Sequence, residues 1–162
     1  MSRASTLRDA IRNELALIYT TETVESVVYP DYTVEELAAS PNRRRIWVAR
    51  STRELDVMQG PDEAFVSIII GVSGALSTSN TATTSDAFRA ERLAESDGHD
   101  DVVESIFGLF MPNELYSDGG FGDFAFRSIT ETVGIDLDEF RETGIHVSAL
   151  TTRWFDTRDE CP

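Results

Sequence analysis

Residues 144–156 alternate with a period of two: Ile145, Val147, Ala149, Thr151, Arg153 and Phe155 point one way, and His146, Ser148, Leu150, Thr152 and Trp154 the other. Such a strand wants a sheet on both sides. At the other end, Ala4, Leu7, Ile11, Leu15 and Ile18 recur at three- and four-residue steps, with Arg8, Asp9, Arg12 and Asn13 on the remaining side. That spacing predicts an amphipathic helix, with Ser2 or Ser5 as its cap. The β-rich stretch 24–29 is stopped by Pro30, whose missing N–H cannot serve a ladder, and it reads as an edge strand. Thr33 followed by Glu36 forms a capping-box pattern, and Ser40-Pro41 closes the segment, so 34–39 reads as a short helical connector.

Residues 44–50 and 55–58 form an extended arm broken near 51–54, and Gly60-Pro61-Asp62 turns the chain into 65–72. The two arms make a hairpin. Its second arm is almost continuously apolar, which predicts a central strand covered on both faces.

Residues 73–85 are nearly all Ser, Thr, Ala, Gly and Asn, with Leu76 the only large apolar side chain, and predict a flexible loop. Such a loop is either functional or a tolerated insertion. A helix is predicted over 86–95, a break at Asp97-Gly98, and a second helix over 100–110. Val102, Val103, Ile106, Phe107 and Phe110 would pack that second helix on the sheet, and Asp100 and Asp101 favour its N-terminus. Pro112 ends it; 113–122, with Gly119, Gly120 and Gly122, is a second loop. Strand-like alternation returns over 123–133, and 136–143 is a loop or single turn before the final strand. The expected fold class is α+β: a single domain over 1–162 with one mixed, mostly antiparallel sheet of about four to five strands. The N-terminal helix and a central helix pack on that sheet.

Composition sharpens this picture. The chain of 162 residues is long enough for one domain with an adequate core, and its charge is −15. All 14 basic residues are arginine. Tight binding to a nucleic-acid backbone rests on neutralising phosphates, so so acidic a chain is not expected to bind DNA directly. A negatively charged wall would instead let a polyanion slide past, although a solubility surface or a high-salt environment explains the charge equally well. A single cysteine, Cys161, builds neither a disulfide framework nor a structural zinc site within one chain. The first twelve residues lack the continuous apolar core of a signal peptide, and the longest apolar run, around 68–70, is far too short to span a bilayer. A soluble protein, made and used in the cytoplasm, is expected.

Three segments invite a chemical reading. Asp97-Gly-His99-Asp-Asp101 combines one imidazole with three carboxylates, as a metal site would, but acids at a helix start explain the same residues. His146 sits in a strand and reads as a satisfied sheet histidine, while a catalytic role would need a distant partner such as Asp123. Asp136-Leu-Asp138-Glu139 lacks the turn glycine and later ligands of a calcium loop. No catalytic, cofactor-binding or metal residue is assigned. The one basic cluster, Arg43-Arg44-Arg45, followed by Trp47, has the composition of an interface anchor, or alternatively guards a strand edge against wrong pairing.

In the order of its elements the chain resembles the tail terminator, or tail-completion, proteins of long-tailed bacteriophages and the related small neck proteins. The matching pieces are a helix like 7–18, a strand like 45–50, a hairpin partner like 65–72, a helix like 100–107 and a closing unit like 137–155. The resemblance implies a virion structural protein that forms a ring, six-membered in that family, on the end of the tail tube. The ring stops tube growth and offers a face to the head connector while DNA passes through its centre. The implied partners are further copies of the chain, the tail tube protein and a head–tail connector or adaptor, with no cofactor and no membrane. Arg43, Arg44, Arg45 and Trp47 would bind the adjacent subunit. Leu76, Thr78, Asn80, Thr83, Tyr116 and Phe121, in the loops 73–85 and 113–122, would order against tube or connector. The alternatives are a head-closure adaptor of the neck, a small metal-dependent hydrolase using His99 or His146, and a monomeric binding module.

Overall fold

A computed structural model describes residues 3–50, 65–76, 85–111, 121–133 and 144–156. Helix α1 (Arg3–Ile18) leads through a turn to strand β1 (Thr23–Ser26), then to the short helix α2 (Val34–Ala38) and a tight turn, Pro41–Arg43. Strands β2 (Arg44–Arg50) and β3 (Phe65–Ala75), helix α3 (Ser85–Gly108), and strands β4 (Phe124–Val133) and β5 (Ile145–Asp156) follow among the described residues. The five strands form one sheet in the order β1-β2-β3-β5-β4, parallel between β1 and β2 and antiparallel elsewhere. The α+β class, the mixed and mostly antiparallel sheet and the two packed helices are therefore as the sequence predicts.

Burial follows the sequence periodicity. Leu7, Ile11 and Leu15 are fully buried along one side of α1 and pack with Ile46, Val48, Ile68, Ile70, Leu150 and Trp154 on one face of the sheet. Val103 and Ile106 of α3 join the same core, so both long helices cover this face. Ile18, the last residue of the α1 stripe, is 38% exposed because the helix ends there. The opposite face holds a smaller cluster, Trp47, Ala49 and Ala149, against which Val27 and Tyr32 pack from the crossover joining β1 to β2. A parallel pair cannot be closed by a tight turn, and the crossover through α2 supplies the missing length. The capping box is formed: the Thr33 hydroxyl accepts from the Glu36 N–H, and the Glu36 carboxylate accepts from the Thr33 N–H.

Strand β5 lies between β3 and β4, as its two apolar rows require, and β3 is central and largely buried. The edge role of β1 holds, although the strand stops at Ser26 and leaves Val28 and Tyr29 exposed. On the opposite edge, β4 is interrupted by irregularities between Phe126 and Ser128 and between Glu131 and Val133. Such breaks twist an edge away from unintended pairing.

Two expectations are corrected. Residues 97–98 do not break a helix: α3 runs unbroken from Ser85 to Gly108, and the carbonyl of Gly98 is taken by the Arg44 guanidinium. Residues 73–75 are not loop but the end of β3. Ser73, Gly74 and Ala75 pair with Val147, His146 and Ile145, and Leu76, though beyond the strand, is buried. A polar, small-residue composition is tolerated there because both neighbouring strands supply the ladder. The predicted segments 55–58, 77–84, 113–120 and 136–143 lie outside the described residues.

Candidate functional site

The register of the sheet places Arg44 opposite Gly74 and Gly74 opposite His146, so the three form one lateral row on the face covered by the helices. The middle position has no side chain. Helix α3 uses that notch to seat His99, whose Nδ1 would lie 3.0 Å from a Cβ placed on Gly74. The His99 and His146 rings stack with centroids 3.9 Å apart and planes 14° from parallel. Two residues along β5, Ser148 shares the face of His146 and lies 3.2 Å through its Oγ from His99 Nε2. Asp100, next to His99 on α3, brings its Oδ1 to 4.0 Å from His146 Nε2.

Both imidazoles are 2% exposed. Burial, then the neighbouring His146 and the Arg44 charge, push His99 down to about 3. Burial lowers His146 too, with the Asp100 carboxylate acting in the opposite direction. Near neutral pH the pair is uncharged, which is what permits two imidazoles to stack in the interior. His99 Nδ1 is buried with no hydrogen-bond partner.

Nitrogen and oxygen atoms of His99, Asp100 and His146 lie within 4.8 Å of one another, the donor set of a transition-metal centre. The ring geometry does not fit that use. An imidazole lone pair lies in the ring plane, and a bound ion sits in that plane about 2.1 Å from the nitrogen. Two face-to-face rings have planes that do not meet between them. One ring would have to turn out of the stack before both held the same ion. As arranged, the pair is a neutral packing unit with a carboxylate at its rim.

The arginine cluster ends at this row. Arg44 pairs with Glu22 at 3.1 Å, and Glu22 also accepts from Asn42 Nδ2 at 2.8 Å. Arg45 turns to the other face, where it meets Glu25 at 3.1 Å and Ser40 at 2.8 Å and lies over the Tyr32 ring at 5.3 Å. Tyr32 donates its hydroxyl to Glu25, and burial followed by that carboxylate raises its pKa well above the usual phenol range. Arg43 donates to the carbonyls of Ala75 and Leu76 at 3.1 and 3.4 Å and stands 3.8 Å from Glu95. Trp47 is buried, donates from Nε1 to Ser73 Oγ at 2.9 Å and lies against Gly71. All four side chains expected at a subunit interface thus have partners within the chain, and Arg43, at 36% exposure, is the most accessible arginine of the three.

Leu76 is buried at the end of β3. Phe121 is partly buried, its ring 5.5 Å from that of Trp154. Thr78, Asn80, Thr83 and Tyr116 lie outside the described residues. Sequence reasoning missed the histidine stack, because the two residues are joined only where α3 crosses β5. The available signal was the pairing of a glycine in an apolar strand with a histidine in its neighbour.

Two cavities flank the stack. One of about 730 Å³ runs along α3 beside Asp100, Phe107, Ser148 and Leu150. The other, about 230 Å³, is lined by Asn42, Arg43, Arg44, Glu95, His99 and His146, with Gly74 in its wall. No protein-family model matches this chain, and no curated protein does.

Proposed function

We propose that this chain is a structural subunit of the bacteriophage neck, a tail-terminator-like protein that assembles as a six-membered ring on the end of the tail tube. The ring joins tube to head connector and leaves a central passage for DNA. The observation that carries this reading is the arrangement of elements around the sheet. An N-terminal helix, a β2–β3 hairpin, a long helix and a closing strand β5 follow in the order the family resemblance implies, with both long helices on one face. The charge of −15 suits a passage along which a polyanion moves without sticking. In this reading the partners are identical copies, the tube protein and a connector or adaptor, and the site of action is the virion neck.

The test is direct. In projection images of purified particles carrying a label on this subunit, the label falls at the head–tail junction, and particles made without the subunit have overlong tubes not joined to heads. A label found elsewhere, or normal joining without the subunit, overturns the proposal. A head-closure adaptor differs only in which side of the junction carries the label. A second reading of another class, a metal-dependent hydrolase using His99 or His146, would require one imidazole to leave the stack before both could hold one ion with Asp100. Alanine at both histidines separates them: an enzyme loses its activity, whereas a ring subunit that remains folded still joins heads to tails.

A further inference from the structure

The tight turn before β2 holds two successive non-glycine residues in the left-handed region, Asn42 at φ 51° and Arg43 at φ 58°. Left-handed backbone is unfavourable for a residue with a side chain, and strain of this kind persists only where the surroundings hold it. Here Asn42 is tied to Glu22, and Arg43 is tied to the carbonyls at the end of β3. Arg43 lines the 230 Å³ cavity together with Arg44 and the two imidazoles. Those two carbonyls take two of the five N–H donors of Arg43.

We propose that this cavity is a carboxylate-binding pocket, in which Arg43 supplies the charge-assisted contact and His99 Nδ1 supplies a buried donor. The imidazole is suited to this role because Ser148 engages its other nitrogen and leaves Nδ1 without a hydrogen-bond partner in the wall of the cavity, beside Gly74. With Ser148 donating to Nε2, the proton of neutral His99 sits on Nδ1 and a carboxylate oxygen accepts it. Glu95 is the one acid lining the cavity among the described residues, and its 3.8 Å contact with Arg43 is long enough to be displaced. Glu22 is already engaged by Arg44 and Asn42, so Arg43 is the guanidinium that the ligand takes. The pocket does not depend on the neck reading. Its ligand is either a free small carboxylate or an Asp or Glu side chain on a second copy of this acidic chain.

The experiment titrates malonate, at constant ionic strength, into the full chain labelled with ¹⁵N at histidine. The expected result is a saturable shift of His99 Nδ1. Arg43→Gln, at an accessible position, weakens the binding about tenfold, the effect of losing one charge-assisted hydrogen bond. Glu95→Gln strengthens it by removing the competing carboxylate. Gly74→Ala places a methyl against His99 Nδ1 and abolishes the shift, and a spectrum otherwise like that of the parent shows that the fold is retained. Mass measurement in the same samples identifies the source. If malonate dissociates an oligomer that Arg43→Gln also fails to form, the natural ligand is a side chain of a second copy; if malonate binds a monomer, it is a free carboxylate. No saturable shift, or equal binding by the parent and Arg43→Gln, overturns the proposal.

Discussion

Trp47 lies flat on Gly71, its partner across the β2–β3 ladder: a Cβ added to Gly71 would stand 2.1 Å from Trp47 Cζ2. The contact is possible only at glycine, and it fixes the indole so that Nε1 reaches Ser73 Oγ. Gly71→Ala therefore forces the ring off the sheet and breaks that hydrogen bond. A loss of about 1–3 kcal/mol is expected from overpacking, and more if the indole N–H stays buried without a partner. Urea unfolding followed through tryptophan fluorescence measures both the drop in midpoint and the changed environment of the ring.

The histidine stack sets a pH dependence. In the unfolded chain each imidazole titrates near 6.5, whereas in the folded chain His99 is held down to about 3 and His146 is also lowered. Above the unfolded value neither state binds the proton, and the packing of the pair contributes fully. As pH falls below about 6.5 the unfolded chain takes up protons that the native chain refuses, so stability declines down to about 3. Unfolding free energies near neutrality and at about pH 5 should differ by more in the parent than in His99→Gln. Equal differences in the two proteins would remove the imidazole from the account.

Arg44 and Glu22 make an ion pair in which the carboxylate side chain is only 4% exposed. Removing the cation alone leaves a buried negative charge, and Arg44→Met is expected to cost about 3 kcal/mol or somewhat more. Replacing both partners, Glu22→Leu with Arg44→Met, removes the charge that needed a partner and should recover most of the loss. A double-mutant cycle from thermal or denaturant unfolding gives the coupling, and an additive result would show that the pair contributes little.

The fold was legible wherever one physical signal acted alone. The 3.6-residue stripe of Leu7, Ile11 and Leu15 and the two-residue alternation from Ile145 to Phe155 each buried the side they marked. The pairing of Thr33 with Glu36 identified its own helix start. Reading failed where tertiary contact outweighed local preference. Asp97-Gly98 looks like a helix end, yet the helix passes through, with the Arg44 guanidinium on the Gly98 carbonyl. Ser73-Gly74-Ala75 looks like a linker, yet it is held as strand by β2 and β5 on either side. The site was less legible than the fold. Nothing local in the sequence links His99 to His146, and although an extended strand over 44–50 puts Arg44 and Arg45 on opposite faces, nothing local names Glu22 and Glu25 as their partners.

The order in which the sheet closes has a consequence during synthesis. β3 is the most apolar strand, and its full-length partner β5 is made some seventy residues later, roughly several seconds at ordinary translation speeds. Until then the nascent chain exposes one side of an eleven-residue hydrophobic ribbon to any other polypeptide that can pair with it. Ribosomal pausing or premature termination before residue 145 would release a species prone to aggregate, so soluble yield should depend sharply on intact translation of the last segment.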